Sequence, residues 1–167
     1  MEQSTTRFET SYTLVRTFFF TFIFALLIYS AIVMMIREAS DDFSGYMDLA
    51  SGQAVYVTAG LLIMSALAVT ASLLLRRRLT GAALVPVWSQ GAEPFLQTVE
   101  SNFLKQLVTA EVPALCGLAH FLMTGGLPWF ILFITPSLLL LARSYPSRSW
   151  WEQLLESTRI AALTRSL

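Results

Sequence analysis

Two ionisable side chains, Glu111 and His120, lie inside one long apolar stretch of the sequence and are the first candidates for chemistry. Ionisable groups within a membrane segment are costly and usually belong to functional sites. Glu111 is a candidate ion-binding carboxylate, and His120 is a candidate ligand for a haem or chlorophyll. Because each residue turns a helix by about 100°, their nine-residue separation predicts opposite faces of one helix. They are therefore not expected to act as an acid–base pair.

A structural role is the alternative for Glu111. Counted from an apex near Gly126, Glu111 lies 15 residues down one helix and Arg143 lies 17 residues down the next. At about 1.5 Å per residue, the two are within roughly 3 Å of the same height. We therefore expect a structural Glu111–Arg143 pair or a carboxylate wetted by headgroups. Proton binding, lipid contact and a partner subunit's cation are the other roles that stay open.

The simplest expectation for His120 is a hydrogen-bonded or interfacial histidine. Cys116 precedes it by four residues and so shares its helix face. Two ligands do not complete a zinc or copper site, and no metal site is predicted. The sequence also has no nucleotide-binding loop, no nucleophile elbow and no paired carboxylates within a span, so we predict no catalytic residues and no enzyme activity.

The elements that carry these residues are predicted to be membrane helices. The 167 residues are 55% hydrophobic and 13% charged, whereas soluble domains carry about 25% charged residues. Stretches 17–36, 54–75, 107–124 and 127–142 are long enough to cross a bilayer, which takes roughly 17–25 residues. Spans of this kind must be helical, since lipid cannot satisfy backbone groups. We predict an all-α integral membrane protein with four transmembrane helices in a single domain, 1–167.

The third and fourth spans are predicted to form a tight hairpin, because Gly125, Gly126 and Pro128 separate them. Two further segments, about 93–106 and 149–165, have apolar residues at helical spacing and charged residues on another face. Amphipathic helices of this kind lie along lipid headgroups. We therefore predict two interfacial helices beside the spans. A docking surface for a partner is the alternative for the second of them.

The charge distribution predicts an orientation. Ten of the eleven basic residues flank the spans on one side: Arg7, Arg16, Arg76, Arg77, Arg78, Lys105, Arg143, Arg148, Arg159 and Arg165. The loop on the other side holds Glu38, Asp41, Asp42 and Asp48, with Arg37 as its only base. The positive-inside rule then places both termini in the cytoplasm. The predicted location is the cytoplasmic (inner) membrane of a bacterium.

Two helix faces are predicted to pack against other helices or partners. The second span carries a stripe of small residues, Thr58, Ser65, Ala68 and Ser72. Small residues allow the close backbone approach that drives helix association in lipid. The cytoplasmic half of the first span is instead crowded with phenylalanines, which predicts a surface that faces lipid or a partner.

The segment "GAEPFLQTVESNFLKQLVTAEVPALCGLAHFLM" resembles the carboxylate helix, with its preceding loop, of the proteolipid (c-type) subunits of rotary ATPases. The residues that match that family's motif are Ala110, Glu111, Ala114, Leu115, Gly117 and Leu118. The resemblance implies an ion-binding role for Glu111. That family pairs the carboxylate helix with a glycine-rich helix, whereas stretch 54–75 contains only Gly60.

Three functions remain open at this point. The leading hypothesis is a non-catalytic membrane subunit of a larger, energy-coupling complex, with other membrane subunits and lipids as partners. The alternatives are a proteolipid-like ion carrier that uses Glu111 and a pigment- or haem-binding subunit that uses His120. Eleven acidic residues balance eleven basic ones, so no bulk charge favours nucleic acid as a partner.

Overall fold

The fold is all-helical, which confirms the predicted class. A computed structural model of the chain describes residues 2–40, 42–47, 49–79, 81–89 and 91–165, and no strand occurs in these ranges. The helices are α1 (Glu2–Ala39), α2 (Ser51–Arg77), α3 (Gly81–Trp88), α4 (Ala92–Thr124), α5 (Leu127–Arg143) and α6 (Arg148–Arg165).

Several of these helices are suited to a membrane. Three segments are long and apolar enough to cross it: Arg7–Ala39, Gly52–Arg77 and Glu93–Thr124. Helix α5, with 17 residues, reaches that length only when it is counted with α6 beyond a 64° bend. The chain thus has three or four helices of spanning character, as expected for an integral membrane protein.

Helix α4 is the centre of the molecule. Helices α1, α2 and α5 all pack on it, and α5 also touches α1 and α2. In the most apolar 18-residue segment of each helix, 44% is buried inside the protein for α4, against 17% for α1 and for α2. Residues on α4 are therefore positioned to contact three neighbouring helices, while α1 and α2 turn most of their surface outward.

Helix α4 has no break at the boundary predicted between segment 93–106 and the third span. The third span and the segment 93–106 form one continuous 33-residue helix. Gly91, with a φ of 121°, precedes it, and Gly125 ends it in the left-handed conformation with a φ of 69°. Glycine adopts such angles without steric cost. No helix-terminating residue lies at positions 106 and 107. The apolar face of segment 93–106 therefore continues into the third span, 107–124.

The amphipathic segments bury their apolar faces within the chain. Phe95 and Val99 at the start of α4, and Trp151 and Leu154 of α6, are at most 5% exposed and belong to one apolar cluster. Between them packs α3, which the sequence analysis did not predict and which contacts both helices. These three elements form a second layer of core at the end of the bundle that carries the basic flanks.

At the opposite end, the loop between α1 and α2 closes over the turn between α4 and α5. The N–H of Tyr46 donates to the carbonyl of Leu122 at 2.8 Å, and so satisfies one of the free carbonyls at the end of α4. Gly45 has a φ of 97°, and a Cβ there would collide with the backbone of Met123. Of the predicted acidic residues here, Glu38 and Asp42 are exposed, while Asp41 and Asp48 lie outside the described residues.

Candidate functional site

The carboxylate of Glu111 contacts α1. The hydroxyl of Tyr29 donates to Glu111 Oε1 at 2.5 Å, and both side chains are half-buried. Tyr29 is the residue that sequence reasoning missed. A signal was present, since it is the only tyrosine of stretch 17–36, and a buried tyrosine hydroxyl usually finds a hydrogen-bond partner.

The predicted structural pair of Glu111 with Arg143 does not form, and the prediction needs correction. Two contacts set the alignment of α4 with α5. The Ala114 N–H donates to Ser137 Oγ at 3.0 Å, and Gln106 Nε2 donates to Ser144 Oγ at 2.6 Å. This alignment puts Arg143 about one helical turn, ~5.4 Å, from the level of Glu111. Glu111 also faces α1, whereas Arg143 lies beside α2.

His120 is 2% exposed and has a threonine at each ring nitrogen. Its Nε2 lies 2.9 Å from the hydroxyl of Thr58 on α2, and its Nδ1 lies 3.1 Å from the hydroxyl of Thr124. The ring also packs near Trp129 and Phe133, with centroids 5.5 and 6.1 Å away. The arrangement ties α2, α4 and α5 together at the end of the bundle away from the basic flanks.

The hydroxyl protons around His120 constrain its role. Thr58 and Thr124 are each also placed to donate to a backbone carbonyl, at 2.8 and 2.9 Å. A neutral imidazole has one N–H and one lone pair, so one threonine must donate to the ring instead of to its carbonyl. Each ring nitrogen, including the one whose lone pair a haem or chlorophyll would need, thus has a threonine hydroxyl within hydrogen-bond distance.

Cys116, on the same face as His120, is 3% exposed. Among the described residues, no group of three or more His, Cys, Asp or Glu side chains could hold a metal ion. Its burial is that of a small apolar side chain in the core of the bundle.

The small-residue stripe of α2 lies in the helix interface. Ser65, Ala68 and Ser72 are 7%, 9% and 0% exposed. The Ser72 hydroxyl donates to the Gln106 carbonyl at 3.5 Å, and Thr58 reaches His120 as described above. On the outer side of α2, Leu62 is 38% exposed. The stripe therefore forms the contact between α2 and α4.

A second small-residue stripe lies on α4, at positions that also belong to the proteolipid-like motif. Ala110 and Ala114 are fully buried, and a Cβ on Gly117 would lie 2.7 Å from Phe133 Cβ of α5. Beside this stripe, Pro113 lacks an N–H and disturbs helical bonding, and Ser137 takes up the N–H of the next residue. Side chains of neighbouring helices commonly satisfy backbone groups near such prolines.

Comparisons with known proteins add no assignment. No family model matches the chain, and neither a curated protein nor a solved structure matches it. The proteolipid-like residues of α4 have local structural explanations: Gly117 and Ala114 form the α5 contact, and Glu111 bonds to Tyr29. Function is therefore inferred from the contacts of the chain itself.

Proposed function

We propose that this protein is a non-catalytic integral-membrane subunit of a larger membrane complex, in which it acts in assembly or stabilisation. One observation carries the proposal: a face of the central helix α4 is left uncovered between α1 and α2. Val108 and Leu115, seven residues apart on this face, are 53% and 44% exposed. That the complex is an energy-coupling one stays a prediction.

The other faces of α4 are occupied. Glu111 contacts α1 and His120 contacts α2, on opposite sides of the helix. Gly117 packs on α5 between them. Because nine residues span about 900°, Val108 points directly away from Gly117. The uncovered face therefore lies between the sides of α4 that contact α1 and α2, opposite α5, and it offers a packing surface for a helix of another subunit.

Exposed phenylalanines of α1 support the same proposal. Phe18, Phe20 and Phe24 are 38%, 48% and 62% exposed, all in one half of the helix. In lipid, association depends on packing rather than on the hydrophobic effect. Large rigid rings provide extensive packing surface at low cost in side-chain entropy. They provide a contact surface on α1 for a partner helix or for lipid.

The proposed placement in the membrane has four spans, with α5 as the fourth. Its 17 residues measure about 25 Å, slightly less than the ~30 Å hydrocarbon core. Both termini lie in the cytoplasm, since the basic residues flank that end. The second core layer of α3, α6 and the start of α4 then sits at the cytoplasmic headgroups, in a bacterial inner membrane.

A second candidate, ion carriage by Glu111, has one observation in its favour: a carboxylate lies within a helix of spanning character. Its bond to Tyr29 accounts for that carboxylate without a transported ion. The ligand role of His120 has no such support, because both ring nitrogens already have threonine partners.

The uncovered face of α4 is tested by photocrosslinking in the native membrane. A photoreactive amino acid placed at Val108 or Leu115 is expected to form a protein adduct of one discrete mass that migrates with the native complex. The control position is Leu139, which is 67% exposed on α5, the helix that packs on the opposite side of α4. It should react with lipid. Lipid adducts alone at all three positions would refute the proposal, and an adduct of twice the chain's mass would indicate self-association instead.

A further inference from the structure

At the end of the bundle with the basic flanks, a cavity of about 170 Å³ lies among α2, α4, α5 and α6. Residues from all four helices and from the α5–α6 connection line it: Arg76, Phe103, Gln106, Arg143, Tyr145 and Trp150. At ~30 Å³ per liquid water molecule, it has room for about five to six waters, which is more than a phosphate group needs.

The lining carries two positive charges and no acidic residue. Arg76 Nη1 donates to the backbone carbonyl of Arg143 at 2.5 Å, which holds the Arg76 guanidinium at the cavity wall. That contact uses one of the five N–H groups of a guanidinium. Neither arginine forms an ion pair with a carboxylate among the described residues. Two like charges held at one cavity repel each other unless an anion lies between them.

The rest of the lining is polar and aromatic. Gln106 is 2% exposed, and its amide nitrogen bonds to Ser144, which also lines the cavity. Tyr145, which is half-exposed, and Trp150 also line the cavity. Tyrosine and tryptophan at helix ends mark the headgroup level of a membrane. The cavity therefore opens where phosphate groups are concentrated.

We propose that this cavity binds a phosphate group, with Arg76 and Arg143 as its ligands. Guanidinium groups match phosphate oxygens with paired N–H donors. Basic pockets between membrane helices on the cytoplasmic side bind the headgroups of anionic lipids. The same chemistry would accept free phosphate, and the experiment below distinguishes the two sources.

The test uses the purified full chain, stripped of lipid, in a nonionic detergent. Native mass spectrometry measures the binding of phosphatidylglycerol and of diacylglycerol, which lacks the phosphate. Phosphatidylglycerol is expected to bind and diacylglycerol is not. Competition by millimolar inorganic phosphate would identify soluble phosphate as a second source, and absence of competition would identify the lipid headgroup alone. Equal binding of both lipids, or of neither, would overturn the proposal.

Paired variants locate the site. R76Q/R143Q is expected to weaken phosphatidylglycerol binding by roughly tenfold or more, about 1.4 kcal/mol. R77Q/R78Q, which removes the same charge from the same basic flank but not from the cavity, should change it by less than about twofold. Equal losses of phosphatidylglycerol binding in the two double variants would mean that the whole basic flank attracts the headgroup, and this result would refute the site. R143Q alone changes an exposed side chain, so it reports on binding even if R76Q/R143Q misfolds.

Discussion

The hydroxyl of Tyr29 on α1 donates a 2.5 Å hydrogen bond to Glu111 on α4, across 82 positions of the chain. Both side chains are half-buried in the apolar bundle. A carboxylate in such a place requires a donor, because an unpaired buried charge is strongly unfavourable. The contact satisfies Glu111 and fixes the rotation of α1 relative to α4.

Glu111 is therefore expected to be structural. Tyr29→Phe and Glu111→Gln should each lower stability by less than about 2 kcal/mol, since hydrogen bonds between membrane helices average ~0.6 kcal/mol. The double variant should lose less than the sum, as expected for residues in contact. Thermal unfolding in detergent measures this, with Tyr56→Phe, at an 80% exposed tyrosine, as the control.

The same substitution separates the functional alternatives. In the native complex, Glu111→Gln should leave ion transport intact and weaken assembly modestly. Retained assembly with abolished proton or sodium flux would contradict the structural role and favour the ion-carrier hypothesis.

Gly117→Ala should disturb the contact between α4 and α5. The added Cβ would lie 2.7 Å from Phe133 Cβ and 3.3 Å from the Phe130 carbonyl oxygen. Overpacking of this kind typically costs about 1–3 kcal/mol. Gly60→Ala is the matched control, because a Cβ there meets nothing within 4 Å. Thermal unfolding of the two variants should differ, and equal stability would mean that the two helices separate without cost.

Ser65→Phe should disrupt the bundle or detach the protein from its complex. Ser65 is 7% exposed in the contact between α2 and α4, and a phenyl ring cannot fit there without separating the helices. Leu62→Phe, at a 38% exposed position of the same helix, should be tolerated. Copurification at matched expression compares them. The opposite ranking would mean that α2 is rotated, with its small residues toward lipid.

The orientation predicts which loops are accessible in intact cells. An impermeant thiol reagent should label Ser44→Cys, in the exposed loop between α1 and α2, from outside. It should not label Ser4→Cys, near the N-terminus, until the membrane is opened. The native Cys116 is 3% exposed and should not react with the reagent. Labelling of Ser4→Cys from outside would reverse the proposed topology.

Sequence alone determined the helical class and the spanning character of stretches 17–36, 54–75 and 107–124. Hydropathy is a property of a contiguous segment, and lipid permits only a helix for a single span. The turn after Thr124 could also be predicted from the sequence, because a glycine follows there; Gly125 ends α4 at a left-handed φ of 69°. Such features depend on neighbours a few positions away.

Tertiary structure decided which side chains meet. The partner of Glu111 is Tyr29 and not Arg143, because the contact depends on the rotation and axial alignment of three helices. Counting residues along the hairpin gave similar heights for Glu111 and Arg143. The count contained no information on which neighbouring helix each side chain faces. The pairing of His120 with Thr58, and the joining of Arg76 and Arg143 at one cavity, likewise require packed helices far apart in sequence. A local pattern shows which face of a helix is apolar or small, and only packing shows what that face meets.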